Sequence, residues 1–407
     1  HRAKFEGVAS AEFIVLPASK HHNSDFIKYL LHQQRFIDFA MSRASGDRPR
    51  VKFDGIADFC FGLPPFDEQS RIVEKIESLF SQLDHGEASL RDVQKLLARY
   101  RQSVLKAAVT GQLTADWRAE NAGRLEPGRD LLERILQARR ENWQGRGKYK
   151  EPVAPDTSDQ PELPERWVWA SVEQLSSRQP NALCIGPFGS NLKVEDYQNQ
   201  GVPLIFVRNI RAKDFDGLSP RFVSKEKAEE LSSHCVFPGD LLITKMGEPP
   251  GEVCIYPHGK PVAVITADCI RFSVSGVDVS SEYLEWAMSS PVVKNQVKRI
   301  SKGVAQQKVT LANFKKIAIP LPPIEEQRTI AENVEMQLSR EEAIMMSCQA
   351  ELSRSSALRQ SILKDAFAGK LVPQDPKDEP AAELLARIRA ERDAAAPKKR
   401  TRKKATA

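Results

Sequence analysis

The stretch Leu63-Pro64-Pro65-Phe66-Asp67-Glu68-Gln69 decides the fold, because the chain repeats it 258 residues later as Leu321-Pro322-Pro323-Ile324-Glu325-Glu326-Gln327. The two copies align without a gap over residues 63–113 and 321–371, and 18 of the 51 aligned positions are identical. Internal repeats set the architecture of a chain. A period of more than half the chain indicates that one whole module has been duplicated, and it does not fit a solenoid of short repeats.

Each copy of the repeat predicts one long helix. A proline pair precedes it, and an acidic pair stands in the first turn, where the helix dipole favours negative charge. Gly111 and Gly369 follow the last turn, at the position of a left-handed cap. Apolar residues of the first copy recur in steps of four and three, as in a coiled coil, while the second copy drifts from that spacing. For a single copy, a generic amphipathic core helix remains an alternative.

Two such helices with matching ends predict an antiparallel coiled-coil spacer. A seam of this kind also offers apolar residues for contacts with a partner protein. The candidates for partner binding are Ile76, Leu83, Leu90, Leu97, Val334 and Leu352.

Composition narrows the class of protein. The 407 residues are enough for two or three domains. The net charge is +6 and the isoelectric point is near 8.9, a mild basic excess that is compatible with a nucleic-acid partner. Six scattered cysteines without a Cys-x-x-Cys pair argue against a metal site or a disulfide framework and indicate a cytoplasmic protein. No apolar run is long enough for a membrane span, and a start at His1 without Met indicates a fragment.

The order of apolar runs predicts an α+β chain in which a duplicated domain precedes each of the two long helices. Residues 166–320 read as a complete domain, with a twisted, mostly antiparallel sheet plus helices. Residues 1–62 repeat only the last part of that domain, with a strand at 11–16, a helix at 25–39 and a strand at 51–53. The remaining segments are the spacer helices 63–113 and 321–371, a short helix with a Pro-rich linker at 114–165, and a short helix with a basic tail at 372–407.

With these motifs and this domain order, the chain resembles the DNA-specificity (S) subunits of type I restriction-modification systems. The two Leu-Pro-Pro-x-[Asp/Glu]-Glu-Gln helices look like the paired conserved spacers of that family. Residues 163–167 (Leu-Pro-Glu-Arg-Trp) look like the opening of its target-recognition domain, and residues 186–190, 208–210 and 238–242 look like its internal landmarks. The resemblance covers almost the whole chain, but the front of the first recognition domain has no match.

The resemblance implies a non-catalytic subunit that reads a bipartite site in double-stranded DNA. Two recognition domains would each read one half-site. Two methyltransferase subunits would dock on the spacer, and restriction and translocase subunits would join them. No cofactor is expected. An alternative is that the chain is the C-terminal specificity portion of a fused restriction-methylation enzyme, which a methyltransferase motif upstream of His1 would reveal.

Candidate DNA-reading residues are polar side chains on loops, because sequence is read through hydrogen bonds to base edges. In the second domain they are Ser190, Asn191, Lys193, Arg208, Asn209, Lys245, Lys302, Gln306, Gln307 and Lys308. In the first domain they are Arg43, Arg48 and Arg50, which align with the loop around Gln306 and Lys308. For each residue alone, a solvated surface role is equally compatible with the sequence.

No catalytic constellation is expected. The chain lacks the Asn-Pro-Pro-[Phe/Tyr] motif of amino-methyl transfer and a Walker loop for ATP. A nuclease interpretation starts from Asp240 and Lys245, since a carboxylate pair before a lysine binds Mg²⁺ beside the scissile phosphate. The second carboxylate is missing, because residues 243–245 read Ile-Thr-Lys. Asp240 is more simply interpreted as the cap of a turn.

Overall fold

The computed structural model describes residues 7–10, 12–143, 148–218, 220–301 and 307–395. The chain divides into two compact units. Unit 1 combines His1–Lys95 with Ile344–Ala407, and unit 2 is Leu96–Ala343. Each unit contains part of both long helices, because the division falls within them. No described helix has both the length and the apolarity to cross a membrane.

Helices dominate unit 1, and strands are confined to unit 2 within the described ranges. The helices are α1 Ser24–His32, α2 Gln34–Met41, α3 Phe53–Ile56, α4 Phe66–Val109, α5 Ala115–Asn121, α6 Gly128–Glu141, α7 Val172–Leu175, α8 Val207–Ala212, α9 Lys225–Glu230, α10 Ser281–Ser289, α11 Pro291–Ile300, α12 Leu311–Phe314, α13 Ile324–Phe367 and α14 Ala381–Ala395.

The strands form three small sheets in unit 2. They are β1 Val168–Ser171, β2 Leu183–Ile185, β3 Val202–Ile205, β4 Phe222–Val223, β5 Cys235–Val236, β6 Leu241–Thr244, β7 Val253–Ile255, β8 Ala263–Ile265, β9 Cys269–Phe272 and β10 Ala318–Leu321. One sheet pairs β1 with β10, a second has the order β2-β9-β6-β7, and the third has the order β4-β3-β8-β5. Only the pairing of β3 with β8 is parallel among these ladders, so the predicted mostly antiparallel α+β fold is confirmed.

The long helices α4 and α13 each span 44 residues, or about 66 Å at ~1.5 Å per residue. Gly111 and Gly369 have φ values of +74° and +72°, the left-handed caps that the sequence predicts. The helices run antiparallel in each unit. In unit 1 Arg359 of α13 bonds Glu87 of α4 at 3.0 Å, and in unit 2 Arg101 of α4 bonds Glu341 of α13 at 3.0 Å.

Some residues of the predicted seam are buried, and others are only half-buried. Ile76 in unit 1 and Val334 in unit 2 are fully buried inside the chain, so they pack the helices together and offer no surface to a partner. Their assignment to partner binding is therefore corrected. Four other seam residues are half-buried: Leu83, Leu90, Leu97 and Leu352.

The duplication extends to individual hydrogen bonds. The buried Gln69 amide accepts from the Asn23 N–H at 2.8 Å and donates to the Pro64 carbonyl at 2.9 Å. Gln327 accepts from the Ser280 N–H at 3.0 Å and donates to the Pro322 carbonyl at 2.9 Å. Buried amides need such partners on both atoms. The glutamine that both copies share thus ties each long helix to the N-cap residue of α1 or α10.

Three expectations for local structure are wrong. The described residues 12–16 form no strand, because the matching strand β9 is held between β2 and β6, and the described part of residues 7–62 contains no equivalent of either. Residues 51–53 lead into α3 and do not form a strand. The single helix expected at 25–39 is broken at Gln33, whose ψ of 136° is extended.

Candidate nucleic-acid interface

Four loops and one returning segment meet at one edge of unit 2. The loops follow the ends of β2, β3, β6 and β8, and the segment is residues 307–309. The Thr266 N–H after β8 donates to the Ile205 carbonyl at the end of β3, at 3.0 Å. Gly186 after β2 packs so closely on Thr266 that a Cβ atom would overlap its backbone. These contacts bring segments that are distant in sequence onto one surface.

Lys245, directly after β6, lies at the centre of this edge. Its N–H donates to the Asp268 carbonyl at 2.8 Å, and its ammonium donates to the Ala267 carbonyl at 2.6 Å. The Nζ atom also lies 6.0 Å from the ring centroid of the exposed Phe188. Lys245 therefore places its ammonium group at the middle of the edge.

Gln307 and Lys308 join the same edge through backbone pairing. The Gly247 N–H donates to the Gln307 carbonyl at 3.2 Å, and Met246 and Lys308 form an antiparallel bridge. The Val309 N–H then donates to the Lys245 carbonyl at 3.0 Å. This pairing fixes the backbone and leaves the half-buried Gln307 and the exposed Lys308 side chains available. Lys302 and Gln306 lie outside the described residues.

Helix α8 contributes a pair of arginines and one structural amide. Arg208 is exposed and lies over the Phe206 ring at 4.2 Å, with its Nε donating to the Leu218 carbonyl at 3.4 Å. Asn209 is buried, accepts from the Phe206 N–H at 3.0 Å and donates to the Asp214 carbonyl at 3.0 Å. Because both atoms of its amide are used inside the loop, Asn209 is a capping residue and we remove it from the candidate DNA contacts.

Arg211 belongs to the edge although the sequence interpretation missed it. It is exposed, its guanidinium donates to the Pro249 carbonyl at 3.1 Å, and it packs against Gly247. The available signal was its position three residues after Arg208, which places both on one side of a helix. The loop after β6 is therefore attached to α8 by this arginine.

The loop after β2 is exposed and polar. Ser190 and Asn191 are exposed and bond each other at 3.3 Å, and the exposed Lys193 donates its N–H to Asp196 at 2.7 Å. None of these three side chains has a described contact with Lys245. They are candidates by exposure alone.

Two backbone hydrogen bonds between Ser45 and Arg50 close a tight hairpin in unit 1. Arg48 and Arg50 lie on this hairpin, and Arg43 lies just before it. Arg43 stacks on Phe39 at 3.7 Å and bonds Asp58 at 3.4 Å. Arg48 and Arg50 are exposed, and Arg50 lies 3.6 Å from Glu12.

The structure also separates the two groups that a nuclease would need. Asp240 is buried before β6 and accepts from the Phe237 N–H at 2.9 Å, which makes it the turn cap that the sequence suggests. Lys245 follows the other end of β6. Beneath the edge, burial raises the pKa of the Cys269 thiol to about 12, so this group stays protonated and unreactive at neutral pH.

Comparison with known proteins identifies the family. A family model described as "Type I restriction modification DNA specificity domain" matches residues 191–341. The type I restriction enzyme EcoBI specificity subunit of Escherichia coli is 30% identical over 357 residues, which are 86% of this chain and 68% of that protein. The EcoKI specificity subunit of Escherichia coli K12 is 27% identical over 84% of this chain and 66% of that protein.

A solved structure supports the fold at lower identity. It is described as "Structural basis underlying complex assembly and conformational transition of the type I R-M system", and its matching chain is 17% identical with a TM-score of 0.56. The match covers 86% of this chain and 72% of that one. The relatives are named as specificity subunits, which favours that interpretation over a fused enzyme. This chain belongs to the DNA-specificity subunits of type I restriction-modification systems.

Proposed function

We propose that unit 2 reads one half of a bipartite DNA site through the edge centred on Lys245, and that the chain thereby directs methyltransferase and restriction subunits to that site. It acts as a specificity subunit and carries out no chemistry of its own. The convergence of four strand-end loops and residues 307–309 at one edge carries this proposal. Loops held by a rigid sheet are suited to recognition because they can vary without disturbing the core.

The side chains of the edge divide into two kinds. Lys245, Lys308, Arg208 and Arg211 supply positive charge for phosphates, which dominate affinity and make it dependent on salt. Gln307 is uncharged, and its amide can bond both polar atoms of an adenine edge. We assign positioning on the duplex to the cations and base recognition to Gln307. Lys302 and Gln306 remain candidates from the sequence, with Ser190, Asn191 and Lys193.

A first half-site would be contacted by Arg43, Arg48 and Arg50 of unit 1. In this proposal residues 1–62 are the end of a first recognition domain, 63–113 and 321–371 are the spacers, and 166–320 are the second recognition domain. The exposed arginine hairpin and the helix order shared with the second copy support it. We also infer that the chain acts in the cytoplasm, where the DNA is and where its six free thiols stay reduced.

Two methyltransferase subunits would dock on the long helices. Tyr100 of α4 in unit 2 and Leu358 of α13 in unit 1 occupy the same position of the repeat, and they are 45% and 47% exposed. Solvent-exposed apolar side chains at matching positions suit two copies of one partner. They are better candidates for this contact than the buried residues of the seam.

The test is a methylome of cells that carry this chain with its methyltransferase partner. Gln307→Ala should relax the recognised sequence at one position at a cost of ~1–3 kcal/mol. Lys308→Ala should weaken binding to all sites alike and lower the salt slope by about one. Arg299→Ala is the control, because Arg299 is exposed and pairs with Asp159. An unchanged methylome with Gln307→Ala would remove Gln307 from base recognition.

A further inference from the structure

Phe188 lies at the tip of the loop after β2, on the edge of unit 2 where the strand-end loops meet. Its side chain is 65% exposed. A single exposed ring needs no explanation by itself. This ring, however, lies 6.0 Å from the ammonium nitrogen of Lys245, the residue at the centre of the edge. The loop therefore places a large apolar group where the proposed function places DNA.

The backbone of this loop is held at several points. At its start, Gly186 packs so closely on Thr266 that a Cβ atom would overlap the Thr266 backbone. At its tip, the Asn191 N–H donates to the Phe188 carbonyl at 2.8 Å and closes a turn. At its end, Leu192 is buried in a core cluster that includes side chains of β3 and β8. A ring on such a backbone loses little conformational entropy when it binds.

The side chains near the ring are polar or basic. Ser190, Asn191 and Lys193 of the same loop are exposed, and a second aromatic–cation pair on the edge places Arg208 over the Phe206 ring at 4.2 Å. Rings interleaved with cations suit nucleic acid, because cations bind phosphates and rings stack on bases. The core of a protein–protein interface is instead depleted of charged residues. These surroundings favour DNA over a protein partner as the ligand of Phe188.

We propose that Phe188 is a wedge that inserts between two adjacent base pairs of the half-site and kinks the duplex there. This wedge depends on the proposed function, because it requires DNA at the edge centred on Lys245. Lys245 binds a phosphate beside the opened step and thereby fixes the point of insertion. Phenylalanine suits this role, since apolar side chains unstack a base step at a cost that the contacts of the bent duplex offset.

The wedge adds sequence specificity without a hydrogen bond to a base. Unstacking costs least at pyrimidine–purine steps, which are the most flexible steps of DNA. The half-site should therefore contain such a step at a fixed distance from the base that Gln307 recognises. Phe188 selects its step by deformability, and Gln307 selects its base by hydrogen bonds.

The first experiment measures the bend of a duplex of about 20 base pairs by energy transfer between dyes at its ends. The duplex carries the half-site found in the methylome, and the full chain is bound without methyltransferase, which would extrude a base of its own. Wild-type chain and Phe188→Leu should both shorten the end-to-end distance, because leucine also acts as a wedge. Phe188→Ala should bind the duplex without bending it.

The outcomes separate the wedge from the proposed function. If the wild-type chain does not select this duplex over a scrambled one, the proposed function is wrong, and the wedge with it. If the wild-type chain selects the duplex but leaves it straight, or if Phe188→Ala bends it equally, only the wedge is overturned.

The second experiment locates the opened step. A nick with its phosphate retained keeps every base but lets one step open more easily, so duplexes are nicked at each step in turn. Wild-type affinity should rise about tenfold for a nick at one pyrimidine–purine step, and Phe188→Ala should lose this gain. A gain at no position, or an equal gain with Phe188→Ala, would mean that the ring does not enter the stack. The wild-type scan decides this even if a variant folds poorly.

Val194→Ala is the matched control, because Val194 is 79% exposed and lies six residues after Phe188. It should change neither the bend nor the gain from the nick. Losses equal to those of Phe188→Ala would indicate general apolar contact with DNA and would overturn insertion. Phe188→Ala should also keep its thermal midpoint and still co-purify with the methyltransferase. Loss of the methyltransferase with unchanged DNA bending would assign Phe188 to that protein contact instead.

Discussion

At the scale of residues, two neighbouring polar side chains of α8 have different surroundings. Arg208 and Asn209 are adjacent and both suit base edges, yet the Asn209 amide bonds two backbone groups of its own loop while Arg208 is exposed. Local capping of this kind depends on where the backbone turns, which the residue type does not reveal. Arg211 was missed because its role depends on contact with a loop 36 residues further along the chain, at Gly247.

This difference predicts opposite effects for neighbouring substitutions. Asn209→Ala should lower the free energy of unfolding by ~1–3 kcal/mol, because it leaves buried backbone groups unbonded. Arg208→Ala should change stability little and weaken DNA binding, with a smaller salt slope. Denaturant unfolding measures the stability of both variants. DNA titrations at two salt concentrations measure their binding and its salt slope. A stable Asn209→Ala protein with altered specificity would return Asn209 to the DNA contacts.

Glu326 gives a second prediction at this scale. The buried Glu326 carboxylate accepts hydrogen bonds from Thr114, Arg118 and Trp167, at 2.7, 2.9 and 2.8 Å. Because one of these donors is a charged guanidinium, Glu326→Gln should destabilise the chain by ~1.5–3 kcal/mol. Trp167→Phe replaces the indole by a smaller aromatic ring and removes only one of the three donors, so its cost should be smaller. Thermal unfolding of the two variants shows which substitution destabilises the chain more. A larger loss for Trp167→Phe would show that the indole contributes mainly through packing.

At the scale of elements, the long helices were the most predictable part. Their proline starts, acidic first turns and glycine caps are local signals, and the structure confirms both ends of α4 and α13. What the heptad pattern did not show is which seam residues are buried, because this depends on the partner helix. Val93 and Tyr100 continue the predicted steps of three and four residues around Leu97, but both remain exposed.

The exposed pair Tyr100 and Leu358 leads to a prediction about assembly. Tyr100→Glu or Leu358→Glu should each leave a complex with one methyltransferase subunit, because each places a charge on one of two equivalent apolar surfaces. Native mass spectrometry of the purified complex counts the subunits. Arg354→Glu is a control on an exposed position of α13. If either variant alone loses both subunits, the two surfaces are not independent sites.

At the scale of the whole molecule, the sequence shows that one module is duplicated. It shows only in part how the two copies differ. The second copy has all three sheets, and its hydrophobic core includes residues from α4, α6, α10 and α13. The described first copy keeps the helices α1, α2 and α3 with a small core around Phe26 and Ile76. The sequence showed that strands were missing. It could not show that residues 12–16 would then lose their own strand, since pairing needs a neighbour.

This difference between the two copies predicts which of them opens locally more often. Amide exchange reports local opening, whose free energy depends on burial and on paired backbone groups. Peptides from residues 24–63 should therefore exchange faster than peptides from residues 281–321, although their helices match one for one. Mass spectrometry of the exchanging chain measures both regions in one sample, and the two halves of α4 serve as an internal reference. Equal protection of the two regions would mean that the packing of α1 and α2 against α4 and α13 in unit 1 is sufficient to stabilise the first copy without the strands that the second copy has.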